Sequence, residues 1–298
     1  AAEAEAKRKA EEEKRLAAEA LAKRIADDSQ PARPTTTAAV SGTLAPGAVR
    51  PGTPCADAPS ISTEPLPGGR TRILVSAPCR AGETVTVWYG PFSFIRKLDT
   101  SGRLDYPLDL FMGEGVITRV GFAGGSEERI VPRADDIAQV SKIAVIWKAP
   151  VNLDLHAFEY LARPGGRGHV WAGAPSSGEK AKAEAIGGKL ARGFLSSAAD
   201  ATTLGDKVEV YTLWNVPGQE SGVVSTVIDF ETRGEMPSGD TCGNGKLARA
   251  NYRLLLFANN QIIGDEQRAL APAACGEALS REVRFNPDTS MSLIVRRQ

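Results

Sequence analysis

Histidine is rare in this chain, whose 298 residues include only two. No apolar run approaches the roughly 18 residues that a membrane-spanning helix needs, so we expect no membrane-spanning segment in this chain. The 36 Lys and Arg residues balance the 36 Asp and Glu residues, so the basic excess typical of nucleic-acid-binding proteins is absent. The GxSxG, HExxH and Walker A motifs are also absent. We therefore expect no nucleic-acid partner, no cofactor and no enzymatic activity.

The residue types that are abundant favour a folded, turn-rich β protein. Apolar residues make up 42 % of the chain, which is enough to build a core, and 30 Gly and 19 Pro supply turns. The sequence predicts a mainly β fold with two immunoglobulin-like or jelly-roll β-sandwiches, preceded by a solvated N-terminal α-helix and a Pro/Thr linker. The chain starts with Ala1 rather than Met, which is compatible with removal of an upstream signal peptide or membrane anchor.

Four cysteines fall into two widely separated pairs, one in each predicted sandwich. No CxxC spacing occurs, so the pattern does not indicate a zinc site or a thioredoxin-like motif. We expect two structural disulfides, Cys55 with Cys79 and Cys242 with Cys275; the alternative is four buried free thiols. Because disulfides persist in oxidising compartments, we expect a periplasmic or extracellular protein, tethered if an upstream segment provides an anchor.

The N-terminal segment 1–28 consists almost wholly of the helix formers Ala, Glu, Lys, Arg and Leu. Its large apolar residues, Leu16, Leu21 and Ile25, are too sparse for a coiled-coil seam, so the segment is predicted to be a solvated helical stalk. It resembles the Ala/Lys/Glu-rich helical region of TolA-like envelope proteins. The Pro- and Thr-containing stretch 29–54 lacks apolar periodicity and is predicted to be an extended linker.

Residues 55–132 contain short segments of β type and are predicted to form a small β-sandwich. The segment 84–89 alternates strictly between polar and apolar residues, and the segment 99–102, Asp-Thr-Ser-Gly, has the composition of a tight turn. The stretch 98–104 is similar to a hairpin of prealbumin-like bacterial surface domains.

Three aromatic residues of this region, Trp88, Phe92 and Phe94, are binding candidates. Exposed on one face, they would form a platform for a glycan or a protein partner. The alternative is that they belong to the core, as most aromatic residues of sandwiches do.

Residues 142–298 follow a linker at 133–141 and contain several further β-type segments. Their spacing predicts a second, larger β-sandwich. A long insertion at 176–206 includes a weak helical stretch at 179–186. A connection of this length is either functional or loosely ordered.

The most distinctive string runs from Trp147 to His156 and reads WKAPVNLDLH. It resembles the W-x-x-P-x-D-L-D-L-H strand of some secreted bacterial β-sandwich modules, with Asn152 where Asp is common. Together with the Gly-His-Val-Trp string at 168–171, it makes residues 55–298 resemble an uncharacterised family of alphaproteobacterial envelope proteins. The resemblance implies a fold and a compartment but no activity.

Alternation along this strand places Asn152, Asp154 and His156 on one polar face, which we expect to point outward. His169 is predicted to face outward as well. A short hairpin loop would pair His169 with Tyr160, about 13 Å from His156, which is too far for the two rings to share a metal ion. Asp154, His156 and His169 are therefore weak metal candidates, and a polar sheet face is the expected alternative.

These observations favour a non-catalytic structural or adaptor protein of the periplasm or cell surface that binds another envelope protein. A second hypothesis is a glycan- or peptidoglycan-binding module that uses exposed aromatic rings. A third is a metal-dependent hydrolase built on His156 and His169. The sequence identifies neither the partner nor the oligomeric state.

Overall fold

The computed structural model describes residues 58–148, 153–188, 192–198, 205–215, 222–230, 250–270 and 291–295. The chain divides into two compact units, Ala1–Thr53 and Pro54–Gln298, and all described residues belong to the second. The predicted helix 1–28 and linker 29–54 lie outside the described residues, as do Cys55, Cys242 and Cys275. Cys79 lies in the 3-10 turn Pro78–Arg80 and is disulfide-bonded. The predicted pairing of the four cysteines stays a prediction.

The described chain is mainly β, as predicted. It forms one α-helix, α1 (Gly178–Ile186), and a series of antiparallel strands. The strands are β1 (Ser60–Leu66), β2 (Arg70–Ser76), β3 (Thr84–Tyr89), β4 (Phe92–Lys97), β5 (Arg103–Asp109), β6 (Thr118–Phe122), β7 (Glu127–Ile130), β8 (Val140–Lys148), β9 (Leu153–Glu159), β10 (His169–Val170), β11 (Gly193–Ser197), β12 (Asp206–Trp214), β13 (Gly222–Phe230), β14 (Ala250–Ala258), β15 (Gln261–Leu270) and β16 (Met291–Val295).

The first seven strands form two sheets, with the orders β1-β2-β5 and β4-β3-β6-β7. Alternate residues of their inner strands are buried, so that Val85, Val87 and Tyr89 of β3 point into the core while their neighbours remain more exposed. The predicted turn between β4 and β5 forms because the Asp99 carboxylate accepts hydrogen bonds from the backbone N–H groups of Ser101 and Arg103, both at 2.8 Å.

The remaining strands form a five-stranded sheet, β11-β12-β8-β14-β15, and a four-stranded sheet, β10-β9-β13-β16. Every residue of β12 is buried, and so is every residue of β8 before Lys148. Helix α1 begins at the cap Ser177, whose hydroxyl accepts a hydrogen bond from the Lys180 N–H at 3.2 Å. Its Ala181 packs with residues of β8, β11 and β12 in a small separate cluster.

The central sheet contributes to two hydrophobic cores because its two faces are both covered. One face of β8, with Ala144 and Ile146, joins the core of the first seven strands. The other face, with Ile143, Val145 and Trp147, joins a core shared with β9, β13 and β14. The predicted domain boundaries stay a prediction, but the first of the two predicted sandwiches shares a hydrophobic core with one face of the central sheet.

Candidate functional site

The three aromatic candidates of the first region are divided between two faces. Phe92 and Phe94 have 5 % and 0 % of their surfaces exposed and lie in the core, because they pair with core-facing residues of β3. Trp88 lies on the opposite face, where the Arg119 guanidinium carbon is 5.0 Å from its ring centroid. The rings therefore do not share one surface.

Strand β9, which carries Asp154 and His156, is buried along its whole length. Only 5 % of Asp154 and 1 % of His156 is exposed, so the outward-pointing polar face expected from the alternation does not form. The strand lies between β10 and β13 in its sheet, and both of its faces are covered. Asn152 lies outside the described residues.

The two histidines meet at a distance of 3.0 Å between His156 Nδ1 and His169 Nε2. The predicted separation was wrong because the register was wrong. His169 pairs with Phe158, not with Tyr160, since the chain makes a wide loop between β9 and β10. Pairing with Phe158 instead of Tyr160 shifts His169 by two residues along β9, and this shift places its imidazole directly beside that of His156.

Aromatic rings stack around this pair. The Phe158 and His169 ring centroids are 4.4 Å apart at an interplanar angle of 7°, and the His156 and Trp171 centroids are 5.3 Å apart at 17°. His169 also lies 5.7 Å from Trp171 at 5°. The histidines are thus held in their plane by neighbours on β9 and by the chain that follows β10.

The hydrogen bonds assign the tautomers of both rings. The backbone N–H of Gly165 donates to His169 Nδ1 at 2.9 Å, so that nitrogen carries no proton. His169 Nε2 therefore carries the proton and donates to His156 Nδ1, which leaves the His156 proton on Nε2. The pair is a one-way chain of hydrogen bonds from Gly165 through two neutral imidazoles.

Burial keeps this pair neutral. Desolvation lowers the pKa of His156 to about 4, with a further contribution from a charge on His169, and desolvation also lowers the pKa of His169. In this arrangement His169 Nε2 carries a proton, which a metal ion at that nitrogen would have to displace. Among the described residues there is no group of three or more His, Cys, Asp or Glu side chains that could hold a metal ion. The geometry fits a structural pair.

A second polar cluster, which the sequence did not reveal, surrounds Glu159 at the end of β9. Its Oε1 accepts hydrogen bonds from the Gly193 N–H at 2.9 Å and from the Tyr211 hydroxyl at 3.0 Å, and its Oε2 accepts one from the Arg192 N–H at 2.8 Å. Burial raises the pKa values of Glu159 and Tyr211 and lowers that of Arg192. The Arg192 side chain bonds Tyr160, whose φ of 53° turns the chain back. The cluster therefore ties β9, β11 and β12 together.

An open groove of about 600 Å³ lies where the ends of β8, β14 and β15 meet. Phe92 and Trp147 contribute its apolar part. Its polar lining includes two amide side chains, Asn251 and Gln267, and two guanidinium groups, Arg253 and Arg268. None of these four polar groups lies deep in the core.

The charges in and around the groove are paired. Arg253 binds the Asp265 carboxylate through two hydrogen bonds of 2.8 and 2.6 Å, and this contact raises the pKa of Arg253 and lowers that of Asp265. Arg268 Nε and one terminal guanidinium nitrogen both lie close to Glu266 Oε2, at 2.8 and 2.6 Å. The groove is thus polar but close to neutral.

Strand β15 forms one edge of this groove and also one edge of the central sheet. It pairs with β14 on one side, and no described strand pairs with its other side. From Gln261 to Ala269 none of its residues is buried, and Ile263 has 54 % of its surface exposed. The strand therefore presents an unpaired backbone edge together with exposed side chains on both faces.

Comparisons of the chain with protein-family models, with curated proteins and with solved structures found no match. In the described parts of the chain, no helix combines the length and the apolar character needed to span a membrane. The roles of the residues therefore rest on their geometry.

Proposed function

We propose that the protein is a non-catalytic adaptor of the cell envelope that binds an extended segment of another envelope protein along strand β15. The observation that carries the proposal is the long, unburied edge of β15, next to an open groove. Extended peptides add to such edges through main-chain hydrogen bonds, and adjacent surfaces select their side chains.

The chemistry of β15 defines the partner segment. Its charges are already neutralised, because Asp265 binds Arg253 and Glu266 binds Arg268. Beside these paired charges, the strand exposes two large apolar side chains, Ile262 with 36 % and Ile263 with 54 % of their surfaces exposed. A segment that is uncharged and rich in β-branched residues would cover this surface and match the strand geometry. The paired charges also oppose non-specific association of the edge.

The proposal includes an oxidising compartment, the periplasm or the cell surface. The disulfide at Cys79 supports it, because structural disulfides are rare in the cytosol. The non-catalytic assignment is supported by the burial of the histidine pair, whose facing nitrogens, His156 Nδ1 and His169 Nε2, are occupied by their mutual hydrogen bond.

Photo-crosslinking in cells tests the proposed surface. A photoreactive residue in place of Ile263 should crosslink to one defined envelope protein, whereas the same residue in place of Ile117, which is 51 % exposed on the first region, should not. A synthetic peptide from the crosslinked segment should bind the purified chain, and Ile263→Lys should weaken that binding by at least tenfold. Equal crosslinking at both positions would overturn the proposal.

A cell-wall glycan in the groove is the second candidate, favoured by the amide and guanidinium groups that line it. Planar polar side chains of this kind hydrogen-bond to sugar hydroxyl groups. Co-sedimentation with isolated cell-wall sacculi separates the candidates. Binding that is lost in Arg253→Ala and retained in Arg72→Ala, a matched change at an exposed ion pair, would favour the glycan.

A further inference from the structure

A lysine and an aspartate lie in direct contact in the interior, where the first region meets the central sheet. Lys142 is the third residue of β8 and has 0 % of its surface exposed, and Asp109 is the last residue of β5 and has 7 % exposed. The Lys142 ammonium group contacts Asp109 Oδ1. Both side chains are buried, which is unusual because Lys and Asp are among the residue types most often exposed to solvent.

Two further groups fix the orientation of the contact. Lys142 Nζ donates to the backbone carbonyl of Gly69 at 2.7 Å, and the Ser196 hydroxyl donates to Asp109 Oδ2 at 2.6 Å. The amine nitrogen and the carboxyl group are thus each held by one neutral partner. Desolvation lowers the pKa of Lys142, which favours the neutral, nucleophilic amine.

The turn around Gly69 is shaped for this lysine. Gly69 has a φ of 65°, and a Cβ atom there would lie 3.1 Å from both Cε and Nζ of Lys142, so a larger residue would strain the turn and crowd the amine. The Asp136 carboxylate holds the turn in place by accepting hydrogen bonds from the Gly68 and Gly69 N–H groups at 3.1 and 2.7 Å. The close approach is therefore built by the surroundings, not by the lysine alone.

We propose that Lys142 and Asp109 condense to an intramolecular amide, an isopeptide bond that links β8 to β5. One proton passes from the ammonium group to Asp109 Oδ1, and the neutral nitrogen attacks Cγ, so that Oδ2 becomes an oxyanion that the Ser196 hydroxyl stabilises. A second proton moves from the nitrogen to Oδ1, and the C–Oδ1 bond breaks. The ammonium and carboxylate become one neutral amide and one water molecule, with no oxidant or co-reactant.

The product would fit the site better than the reactants do. A buried ion pair keeps two charges in a medium that solvates them poorly. The amide has no charge, and its two polar groups already have partners: its N–H faces the Gly69 carbonyl and its oxygen faces the Ser196 hydroxyl. Loss of water from a dry interior also favours condensation.

The intact mass of the fully reduced protein tests this directly. An isopeptide bond lowers the mass by one water molecule, about 18 Da, whereas an ion pair leaves it unchanged. Trypsin does not cut after an acylated lysine, so the peptides 104–119 and 134–148 should appear as one crosslinked species. A full-length mass without the loss, together with normal cleavage after Lys142, would overturn the proposal.

Variants then assign the roles of the residues. Lys142→Arg and Asp109→Ala should each restore the full mass, and Ser196→Ala should slow the loss of water at least tenfold after refolding. Lys148→Arg is the matched control, because Lys148 lies at the end of the same strand beside Asp206 at 3.7 Å and is exposed. Because the bond can form only in the folded chain, far-UV circular dichroism of each variant accompanies its mass, so that a full mass is assigned to the missing group only in a variant that folds. A crosslinked mass that persists in Lys142→Arg would contradict the assignment.

Discussion

The first seven strands and the central sheet differ in how their residues are buried along each strand. In β3 the burial alternates, with Val85, Val87 and Tyr89 inside, because each sheet of the first region has one face on the core. In β8 and β12 burial is continuous, because one face packs on the first region and the other on the four-stranded sheet. The buried ionisable clusters lie on strands with continuous burial, Lys142 on β8 and Glu159 on β9.

The comparison predicts that the second region depends on the first. In a fragment of residues 133–298, one face of β8 and β12 would be exposed, including Ile146 and Val210, and each large side chain contributes about 1.5–3 kcal/mol when buried. We expect this fragment to lose its cooperative urea transition, measured by tryptophan fluorescence, and to aggregate. Residues 54–298, the whole compact unit, should keep the transition.

A monomeric 133–298 fragment with the same urea midpoint as residues 54–298 would contradict this prediction. It would mean that the shared core contributes little and that the two regions fold independently.

Loss of the Glu159 carboxylate should have the next largest effect. Glu159→Ala removes the acceptor of two backbone N–H groups and of the Tyr211 hydroxyl, all of them buried. We expect the free energy of unfolding to fall by about 3–5 kcal/mol, because buried donors are left without partners. Urea titration measures the change. Glu159→Gln keeps one acceptor oxygen, so its free energy of unfolding should fall clearly less than that of Glu159→Ala. Equal decreases in the two variants would indicate that the effect comes from packing.

The histidine pair predicts the pH dependence of stability. The pKa of His156 is lowered to about 4 in the folded chain, so between pH 6.5 and 4 the unfolded chain binds more protons. Stability is therefore complete above pH 6.5 and falls as the pH drops towards 4, by at most about 3 kcal/mol. His156→Asn keeps an acceptor near the Nδ1 position without titrating. Urea titrations give the free energy of unfolding of the unmodified protein and of His156→Asn at each pH. The two should depend differently on pH below 6.5, and the same pH dependence in both would show that His156 is not the titrating group.

Local patterns predicted the inner strands better than the edges. The alternation over 84–89 predicted β3 with its observed bounds. The edge strands β1 and β15 were not predicted, because their residues are largely exposed and show no alternation to read. Periodicity reports burial on one face, so a strand with little burial carries little signal.

The register between paired strands was the second feature that the sequence did not predict. The sequence identified His156 and His169 as candidate site residues. Whether their rings lie in contact depends on the length of the loop between β9 and β10, which sets the register of the two strands. A shift of two residues along a strand moves a side chain by about 7 Å, which is enough to separate or join two imidazole rings. Glu159 gave no signal of its own, since its partners Gly193 and Tyr211 lie on distant strands.

The smallest effect is expected at the surface of the first region. Arg72 on β2 lies 3.1 Å from Asp105 and 3.5 Å from Glu64, and all three side chains are substantially exposed. Because water screens such pairs, Arg72→Ala should lower the free energy of unfolding by less than about 1 kcal/mol. The loss should shrink further in 1 M salt, where the Debye length falls to about 3 Å. A loss above 2 kcal/mol, or one that salt does not change, would show that charge is as important on the alternating strands as it is inside the central sheet.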